Sequence, residues 1–228
     1  MAGDLVESTV TQVLDLIVDG TYTVGQSMPG EAELAKSLNV SRPTLREAVK
    51  VLIGGGVLSV RHGRGTFVQD PANWTGVAMI AHAARGTVDP RLLDQQVLQV
   101  RSMIEIGAAR LAATNRTDDD LEAMEQVLAA FAKADADGDV ETAIDLDIRF
   151  HDLLTHSSGN PFVPAVLHPL SELLLAQRRR TTAIAEVRAR AHRHHQRILE
   201  ALTAGDADAA EAEMRAHMAQ TSDDMPRA

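Results

Sequence analysis

Three histidines and one aspartate in the second half of the chain have the chemistry of a metal site. Asp147 and His151 are four residues apart in a segment with helical periodicity, so both side chains project from one face of a helix. His195 and His217 lie in two later helical segments, near apolar positions that mark the inward face. Imidazole and carboxylate groups bind Zn²⁺, with Ni²⁺, Fe²⁺ or Mn²⁺ as alternatives, and four of them can leave coordination positions open. The residues alone also allow a second interpretation, in which they are hydrogen-bonded polar groups of the core.

Arginines in the same region also allow more than one interpretation. Arg101 and Glu105 are four residues apart on a long predicted helix, so Arg101 either pairs with an anionic ligand or forms an ordinary ion pair with Glu105. Arg178, Arg179 and Arg180 form a run that we interpret as the solvent-exposed end of a helix. We therefore predict that Arg101, rather than the three consecutive arginines, binds an anionic ligand.

A second set of residues, near the N-terminus, has the chemistry of a nucleic-acid contact. Arg42, Arg46 and Lys50 recur at four-residue intervals and share one face of a predicted helix. Apolar residues occupy a different face of the same helix: Leu45, Ala48, Val49 and Leu52. Ser41 is a natural N-cap, so the helix start presents backbone N–H groups together with the Thr44 hydroxyl and two guanidinium groups. Phosphate groups and guanine edges both suit this surface.

The elements around this helix form a winged helix-turn-helix. A short helix pattern runs from Glu31 to Leu38, and a tight break separates it from the helix that opens at Arg42. Two β-prone runs follow, residues 57–60 and 66–68, joined by the glycine-rich segment 61–65, whose basic side chains face outward. The segment predicts a DNA-reading unit with a β-hairpin wing.

The distribution of charge agrees with that prediction. The whole chain is acidic, with 22 lysines and arginines against 32 aspartates and glutamates, which taken alone argues against nucleic acid. Residues 32–68 reverse the balance, with six basic side chains against two acidic ones. The basic surface that DNA binding requires is therefore confined to the motif.

Length and pattern predict a mainly α fold in two parts. The 228 residues divide into a winged helix-turn-helix at 1–70, with three helices and a small β-hairpin, a linker with a connecting helix at 71–88, and an all-α antiparallel bundle at 89–228. No apolar run approaches 18 residues and the chain has no cysteine, which fits a cytoplasmic protein. An apolar stripe on the first long helix of the bundle contains Leu92, Leu93, Val97, Val100, Met103, Ile104, Ala108 and Leu111.

The N-terminal segment resembles the winged helix of GntR-superfamily bacterial transcription factors. That pattern runs G-x-x-L-P-S-E-x-x-L-A, then V-S-R-x-T-x-R-E-A, then G-x-G-x-F-V. The chain aligns with it at Gly25, Met28, Pro29, Gly30, Glu31, Leu34, Ala35, Val40, Ser41, Arg42, Thr44, Arg46, Glu47, Ala48, Gly63, Gly65, Phe67 and Val68. Met28 stands in place of the leucine and Gly30 in place of the serine. The resemblance implies DNA contacts from the recognition helix and from the wing, at Arg42, Thr44, Arg46, His62, Gly63 and Arg64. Ala32 stands where many relatives have arginine, so one such contact is absent.

The helical region resembles the FadR-type ligand-binding domain called FCD. Metal-binding members show D-x-x-x-H, S-G-N, H-x-x-I-x-x-A-x-x-x-G-D and R-x-H motifs, and the chain carries them at residues 147–151, 158–160, 195–206 and 215–217. The resemblance implies a divalent metal held by Asp147, His151, His195 and His217. It also implies an effector that contacts Arg101 and Asn160.

We therefore predict a cytoplasmic, homodimeric, ligand-responsive transcriptional regulator. It would act as a repressor at an inverted-repeat operator, because a two-fold symmetric protein reads a two-fold symmetric site. A small carboxylate or hydroxy acid bound at the metal would shift the bundle and change the spacing or orientation of the two DNA-binding units. Two alternatives remain: a metal-dependent enzyme that uses the Asp/His₃ centre, and a regulator whose helical domain only dimerises.

Overall fold

The computed structural model describes residues 2–225, which form two compact units that divide between Pro90 and Arg91. The first unit combines helices with one antiparallel hairpin, and the second is entirely helical. The predicted fold class, a winged helix-turn-helix followed by a helical bundle, is confirmed. Within the described residues, no helix has the length and apolar character needed to cross a membrane.

The first unit is a winged helix. Its elements are α1 (Ala2–Val18), α2 (Glu31–Ser37), α3 (Arg42–Gly54), β1 (Leu58–Arg61), β2 (Gly65–Val68), a 3₁₀ turn (Pro71–Asn73) and α4 (Val77–Thr87). Leu45, Ala48 and Leu52 of α3 are buried, as their spacing predicts, and they pack with Val13 and Leu14 of α1 in one apolar core.

Short-range chemistry fixes the DNA-reading part of this unit. Ser41 caps α3, since its side chain accepts a hydrogen bond from the backbone N–H of Thr44 at 3.2 Å. Strand β1 pairs antiparallel with β2, with Leu58 opposite Val68 and Arg61 opposite Gly65. Gly63 at the tip has a φ of +70°, a conformation that glycine adopts without steric cost.

The first unit extends past the hairpin. Trp74, which the sequence pattern places at the domain boundary, is only 7% exposed and belongs to the winged-helix core. Its indole N–H donates to the Gln69 carbonyl at 3.3 Å. Helix α4 packs against α1, and His82 Nε2 lies 2.7 Å from Asp15 Oδ1. The segment predicted as linker and connecting helix therefore contributes contacts to this unit.

The second unit contains the remaining helices. They are α5 (Pro90–Asn115), α6 (Asp118–Asp137), α7 (Val140–Ser157), α8 (Phe162–Leu167), a 3₁₀ turn (His168–Leu170), α9 (Ser171–Thr182), α10 (Ala185–Ala204) and α11 (Ala207–Asp224). Thr117 and Asp120 form a capping box at the start of α6, and Asp139 caps α7, both as expected from the sequence. The pattern of residues 162–180 predicts one helix, but the structure interrupts it at the 3₁₀ turn, where Pro169 lacks the N–H that a continuous helix needs.

The inward face of α5 differs from the predicted apolar stripe. Met103 is 78% exposed and Leu111 is 41% exposed, whereas the charged residues Arg101 and Glu105 are buried. Alanines fill the rest of the buried face: Ala108, Ala109, Ala112 and Ala113. The charged pair can face inward because its members neutralise and hydrogen-bond each other. The small alanine side chains let neighbouring helices approach closely.

Candidate metal centre and nucleic-acid interface

Three imidazole rings from three helices meet in the interior of the second unit. His151 lies on α7, His195 on α10 and His217 on α11, and all three are buried, with His195 completely so. The Nε2 atom of His217 is 3.2 Å from that of His195 and 3.4 Å from that of His151. One ligand atom from each ring lies within 4.8 Å of the others. The structure thus brings together three of the four residues that the motifs predict as ligands.

Two of the three nitrogen–nitrogen separations fit a tetrahedral metal ion. Nitrogen ligands at about 2.0–2.1 Å from Zn²⁺ stand about 3.3–3.4 Å apart when the geometry is tetrahedral. The two measured Nε2 separations, 3.2 and 3.4 Å, agree with that spacing. Three neutral imidazoles that face one another cannot all be satisfied by shared protons, because each donates from only one nitrogen. A cation at the centre satisfies all three lone pairs at once.

The fourth predicted ligand, Asp147, lies one helical turn before His151 on α7. Its Oδ1 is 3.6 Å from His195 Nε2, while its Oδ2 is 2.6 Å from Nε of Arg178 on α9. Both partners of this ion pair are buried, so each charge depends on the other for compensation. Burial alone would raise the pKa of Asp147, but the charge of Arg178 holds it below its usual value. Asp147 is therefore an anion with one oxygen toward the histidine cluster.

A second buried carboxylate, that of Glu105, contacts His151 on the side of the ring away from the other two histidines. Oε2 of Glu105 lies 2.6 Å from Nδ1 of His151, and its two oxygens also accept hydrogen bonds from Nε and Nη2 of Arg101 at 2.8 and 3.3 Å. Burial opposes ionisation of Glu105, yet Arg101 and His151 together hold its pKa well below the usual range. A carboxylate at Nδ1 favours the tautomer whose Nε2 lone pair faces the cluster. None of the three Nδ1 atoms has a hydrogen bond of regular geometry, and only that of His151 has a carboxylate beside it.

The electrostatic environment keeps the histidine cluster neutral. Burial lowers the pKa of His151 below its ordinary value, and it lowers the pKa of His195 and of His217 well below that value. The neighbouring imidazoles and the guanidinium of Arg178 act in the same direction on His195. Since a metal binds the neutral imidazole, the fold keeps these rings in the form that coordination requires.

Two cavities adjoin the cluster and share His151 and Arg178 as walls. The inner cavity, of about 30 Å³, is also lined by Arg101, Asp147 and His217. The outer cavity, of about 540 Å³, lies along α7, α8 and α9 and is lined by Glu105 together with both polar and apolar side chains. Arg101 thus faces the inner cavity while it is paired with Glu105, so both interpretations of its role are compatible with the structure.

Asn160, the other predicted effector contact, lines neither of these cavities. Its side chain is exposed, and Oδ1 accepts a hydrogen bond from the backbone N–H of Phe162 at 3.0 Å. It therefore supports the turn between α7 and α8. Because Asn160 lies outside both cavities, the structure gives no further support for an effector contact at this residue.

Arg178 is the functional residue that the sequence interpretation missed. It was predicted to be exposed with its two neighbours, but it is 4% exposed and paired with Asp147. Arg179 and Arg180 do lie near the surface, where they pair with Glu141 and Asp94. The one available signal was the four-residue spacing of apolar Leu170 and Leu174 with Arg178, which places the three on a single helical face.

The second candidate site is the surface of α3 in the first unit. Arg42 and Arg46 are exposed and Thr44 is partly exposed at the N-terminal end of this helix. Arg46 is held by Glu31 at the start of α2, with Nε 2.6 Å from the carboxylate. The Thr44 hydroxyl is 2.7 Å from that of Ser41. The helix start therefore offers cations and polar groups to solvent, held by neighbours rather than by the core.

The wing presents its basic residues at the tip of the hairpin. His62, Gly63 and Arg64 are all exposed. The guanidinium carbon of Arg64 lies 5.9 Å from the centre of the Phe67 ring, and that of Arg61 lies 4.3 Å from it. These cation–π contacts reduce the freedom of two long side chains while leaving their N–H donors exposed. Such an arrangement suits phosphate groups along a groove.

Comparison with known families and proteins covers both units of the chain. The family described as "Bacterial regulatory proteins, gntR family" matches residues 5–68, and the FCD domain matches residues 96–220. The chain is 32% identical to the HTH-type transcriptional regulator LutR of Bacillus subtilis (strain 168) over 215 residues, which are 91% of this chain and 95% of LutR.

Two further relatives extend the comparison. The galactonate operon transcriptional repressor of Escherichia coli (strain K12) is 29% identical over 198 residues, which are 86% of this chain and 85% of the repressor. Among solved structures, Streptococcus agalactiae GntR superposes with a TM-score of 0.54 and is 28% identical, covering 94% of this chain and 97% of that one. The similarity therefore includes both units in one chain.

Proposed function

We propose that this chain, which belongs to the GntR family of bacterial regulatory proteins and carries an FCD domain, is a repressor whose operator affinity falls when a small carboxylate binds at a metal in the helical domain. The family consists of transcriptional regulators, so the chain is a regulator and not an enzyme, and the metalloenzyme alternative is removed. The metal and effector parts of the proposal are supported by the convergence of three buried histidine side chains, His151, His195 and His217.

DNA recognition is assigned to the winged helix. Arg42, Thr44 and Arg46 would contact base edges and phosphates from the start of α3, since this end of the helix is exposed and positively charged. His62, Gly63 and Arg64 would contact the backbone from the wing. A homodimer would place two such units on an inverted-repeat operator. The protein would act in the bacterial cytoplasm, where the operator DNA lies. Repression is favoured by the relative named as a repressor of the galactonate operon.

Effector recognition is assigned to the inner cavity. His151, His195, His217 and Asp147 would hold the metal, which supplies a Lewis-acidic centre for a carboxylate when bound. Glu105 holds His151 in the tautomer that coordination needs, and Arg178 keeps Asp147 ionised. Arg101 adds a buried positive charge to the wall that the effector carboxylate would face. Coupling to DNA affinity typically amounts to about 1–3 kcal/mol in such systems.

Metal analysis and one variant test the proposal. Protein purified without a histidine tag should contain close to one zinc, nickel, iron or manganese ion per chain, and His195→Ala should lose most of it. His156→Ala is the matched control, because this histidine is exposed on the same helix as His151. The His195→Ala protein should still bind DNA fragments that the wild-type protein enriches, since the winged helix belongs to the other unit.

The effector response completes the test. Carboxylates that release the wild-type protein from those fragments should no longer release His195→Ala. A wild-type protein free of transition metal, or a metal-free variant with a full effector response, would instead favour a helical domain that only dimerises or that binds its effector elsewhere. Sedimentation of the purified protein measures the homodimer separately.

A further inference from the structure

One buried oxygen on the wall of the inner cavity has no partner. Gln220 lies on α11, one turn after His217, and both side chains line this cavity. Its Oε1 is buried and accepts no hydrogen bond; no other side-chain oxygen among the described residues is in this position. Leaving such an acceptor unsatisfied is costly, so a donor is expected at this point in the cavity.

The orientation of the Gln220 amide is fixed by its neighbours. Its Nε2 donates to Asp224, whose carboxylate also accepts from Nε and Nη2 of Arg190 on α10. An ionised carboxylate only accepts hydrogen bonds, so the amide nitrogen must face Asp224 and the oxygen must face the opposite way. The acceptor character of this part of the wall is therefore set by the Arg190–Asp224 pair.

Three other neutral polar side chains on the wall already form hydrogen bonds. Thr181 and Thr221 donate their hydroxyl protons to backbone carbonyls of Gln177 and His217, at 3.3 and 3.0 Å. Gln177 donates to the Asp94 carbonyl and its Oε1 lies 3.5 Å from Nη1 of Arg101. The oxygen of Gln220 differs from the oxygens of these three side chains because it takes part in no hydrogen bond.

The charge of the site selects the kind of donor. Arg101, Arg178 and Arg188 line the same cavity as buried cations, against the two carboxylates of Asp147 and Asp224. A bound metal ion would add further positive charge to this wall. An ammonium group would bring a further positive charge into this region, where low dielectric strengthens the repulsion. A neutral hydroxyl donates a hydrogen bond without that penalty.

We propose that Gln220 determines specificity by accepting a hydrogen bond from a hydroxyl group of the effector, so that the site prefers hydroxy carboxylates to the corresponding deoxy acids. This inference rests on the proposed effector site at the metal centre and adds to it a residue that distinguishes a hydroxy acid from its deoxy counterpart. The inner cavity of about 30 Å³ has room for about two water molecules, so the smallest hydroxy acids need the least widening.

The test measures pairs of acids that differ by one hydroxyl. Binding of glycolate and acetate, lactate and propionate, and 2-hydroxybutyrate and butyrate to the zinc-loaded full chain is followed by calorimetry. Wild type should bind the hydroxy member of each pair about two to ten times more tightly, as one neutral hydrogen bond provides. Glycine should bind more weakly than glycolate because of its ammonium group.

Gln220→Met removes the acceptor with little change of volume. In this variant the preference within each pair should fall to about one, with the zinc content unchanged. Gln126→Met, at an exposed glutamine on α6 that lines none of the cavities described, should keep the wild-type preference. The conservative change Gln220→Asn, which retains an amide oxygen, should keep part of it.

The outcomes separate this inference from the function on which it rests. A preference for hydroxy acids that persists in Gln220→Met, or a wild-type protein that binds both members of each pair equally, overturns the role of Gln220 and leaves the effector site in place. Tighter binding of glycine than of glycolate overturns the choice of a neutral donor. Failure of all the acids to bind the zinc-loaded protein overturns the proposed effector site together with the inference.

Discussion

Replacing Arg178 with methionine should destabilise the metal-free protein strongly. Nε of Arg178 lies 2.6 Å from Oδ2 of Asp147, and the two side chains are 5% and 9% exposed. Methionine fills most of the volume of the arginine stem but leaves the carboxylate without its counter-charge. Breaking a buried ion pair by removing one partner costs about 3–5 kcal/mol, because the remaining charge stays buried and uncompensated. We expect a loss of that size in the free energy of unfolding.

Zinc should reduce this cost if Asp147 is a ligand. In the variant, Asp147 no longer shares its charge with a guanidinium, so it should bind the cation more tightly than in wild type. Each tenfold gain in metal affinity returns about 1.4 kcal/mol at saturating zinc. The destabilisation by Arg178→Met should therefore be smaller with zinc than with a chelator, while the absolute stability of both proteins rises.

The measurement needs four denaturation curves and one control. Wild type and Arg178→Met are unfolded in urea, each with chelator and with excess zinc, and followed by circular dichroism. The single tryptophan, Trp74, lies in the first unit, so its fluorescence reports separately on the winged helix. Arg179→Met is the control, because this neighbour is exposed and pairs with Glu141 only at 3.3 Å. It should change stability by about 0–1 kcal/mol, as for an exposed pair, with or without zinc.

Two results would refute the reasoning. An equal cost of Arg178→Met with chelator and with zinc would mean that Asp147 does not bind the metal, whatever the histidines do. A loss no greater than that of Arg179→Met would mean that the Arg178–Asp147 pair is not buried as the structure places it.

Three further predictions concern the two sites. Arg46→Ala should weaken operator binding by about 1–3 kcal/mol at fixed salt, because this exposed guanidinium lies at the end of α3 that we propose contacts DNA, and an unchanged affinity in a gel-shift titration would remove it from the interface. Arg64→Ala should weaken binding to operator DNA and to unrelated DNA by similar factors. It should also reduce the slope of log affinity against log salt concentration by about one, as expected for a phosphate contact. A loss of affinity confined to operator DNA would instead assign Arg64 to the reading of bases or groove shape. The metal-free protein should lose stability as the pH falls below about 6.5, the ordinary pKa of histidine, since burial lowers the folded-state pKa of His195 and His217 while the unfolded chain takes up protons from that pH downward. Urea curves between pH 7.5 and pH 5 test this, and a stability independent of pH would contradict it.

The parts of this molecule that follow from sequence are those set by neighbours along the chain. Ser41 caps α3 and Thr117 caps α6 because a hydroxyl three residues before a backbone N–H is a local arrangement. The four-residue spacing of Asp147 and His151 likewise places both side chains on one face of α7. The meeting of His195 and His217 with that face depends on how three helices pack, and the sequence motif supplied it only through family resemblance.

The errors lie where a helix has little apolar contrast. Helix α9 contains three consecutive arginines, residues 178–180. Which of them faces α7 depends on the rotation of α9 about its axis. Few apolar residues constrain that rotation, so the burial of Arg178 could not be read from composition. In α5 the pairing of Arg101 with Glu105 lets charge occupy the inward face, and Met103 turns outward instead. Periodicity assigns apolar residues to the interior and misses charges that are neutralised there.

The buried charges of the helical domain link metal binding to effector binding. Arg101 and Arg178 carry two positive charges, Glu105 and Asp147 carry two negative ones, and the histidines are neutral, so these residues are balanced without a cation. A divalent ion adds two positive charges to them. An anionic effector restores part of the balance, so it should bind better with the metal present, and by thermodynamic linkage the metal should bind better with the effector present. The same charge balance explains why a neutral donor, rather than a second cation, suits the acceptor at Gln220.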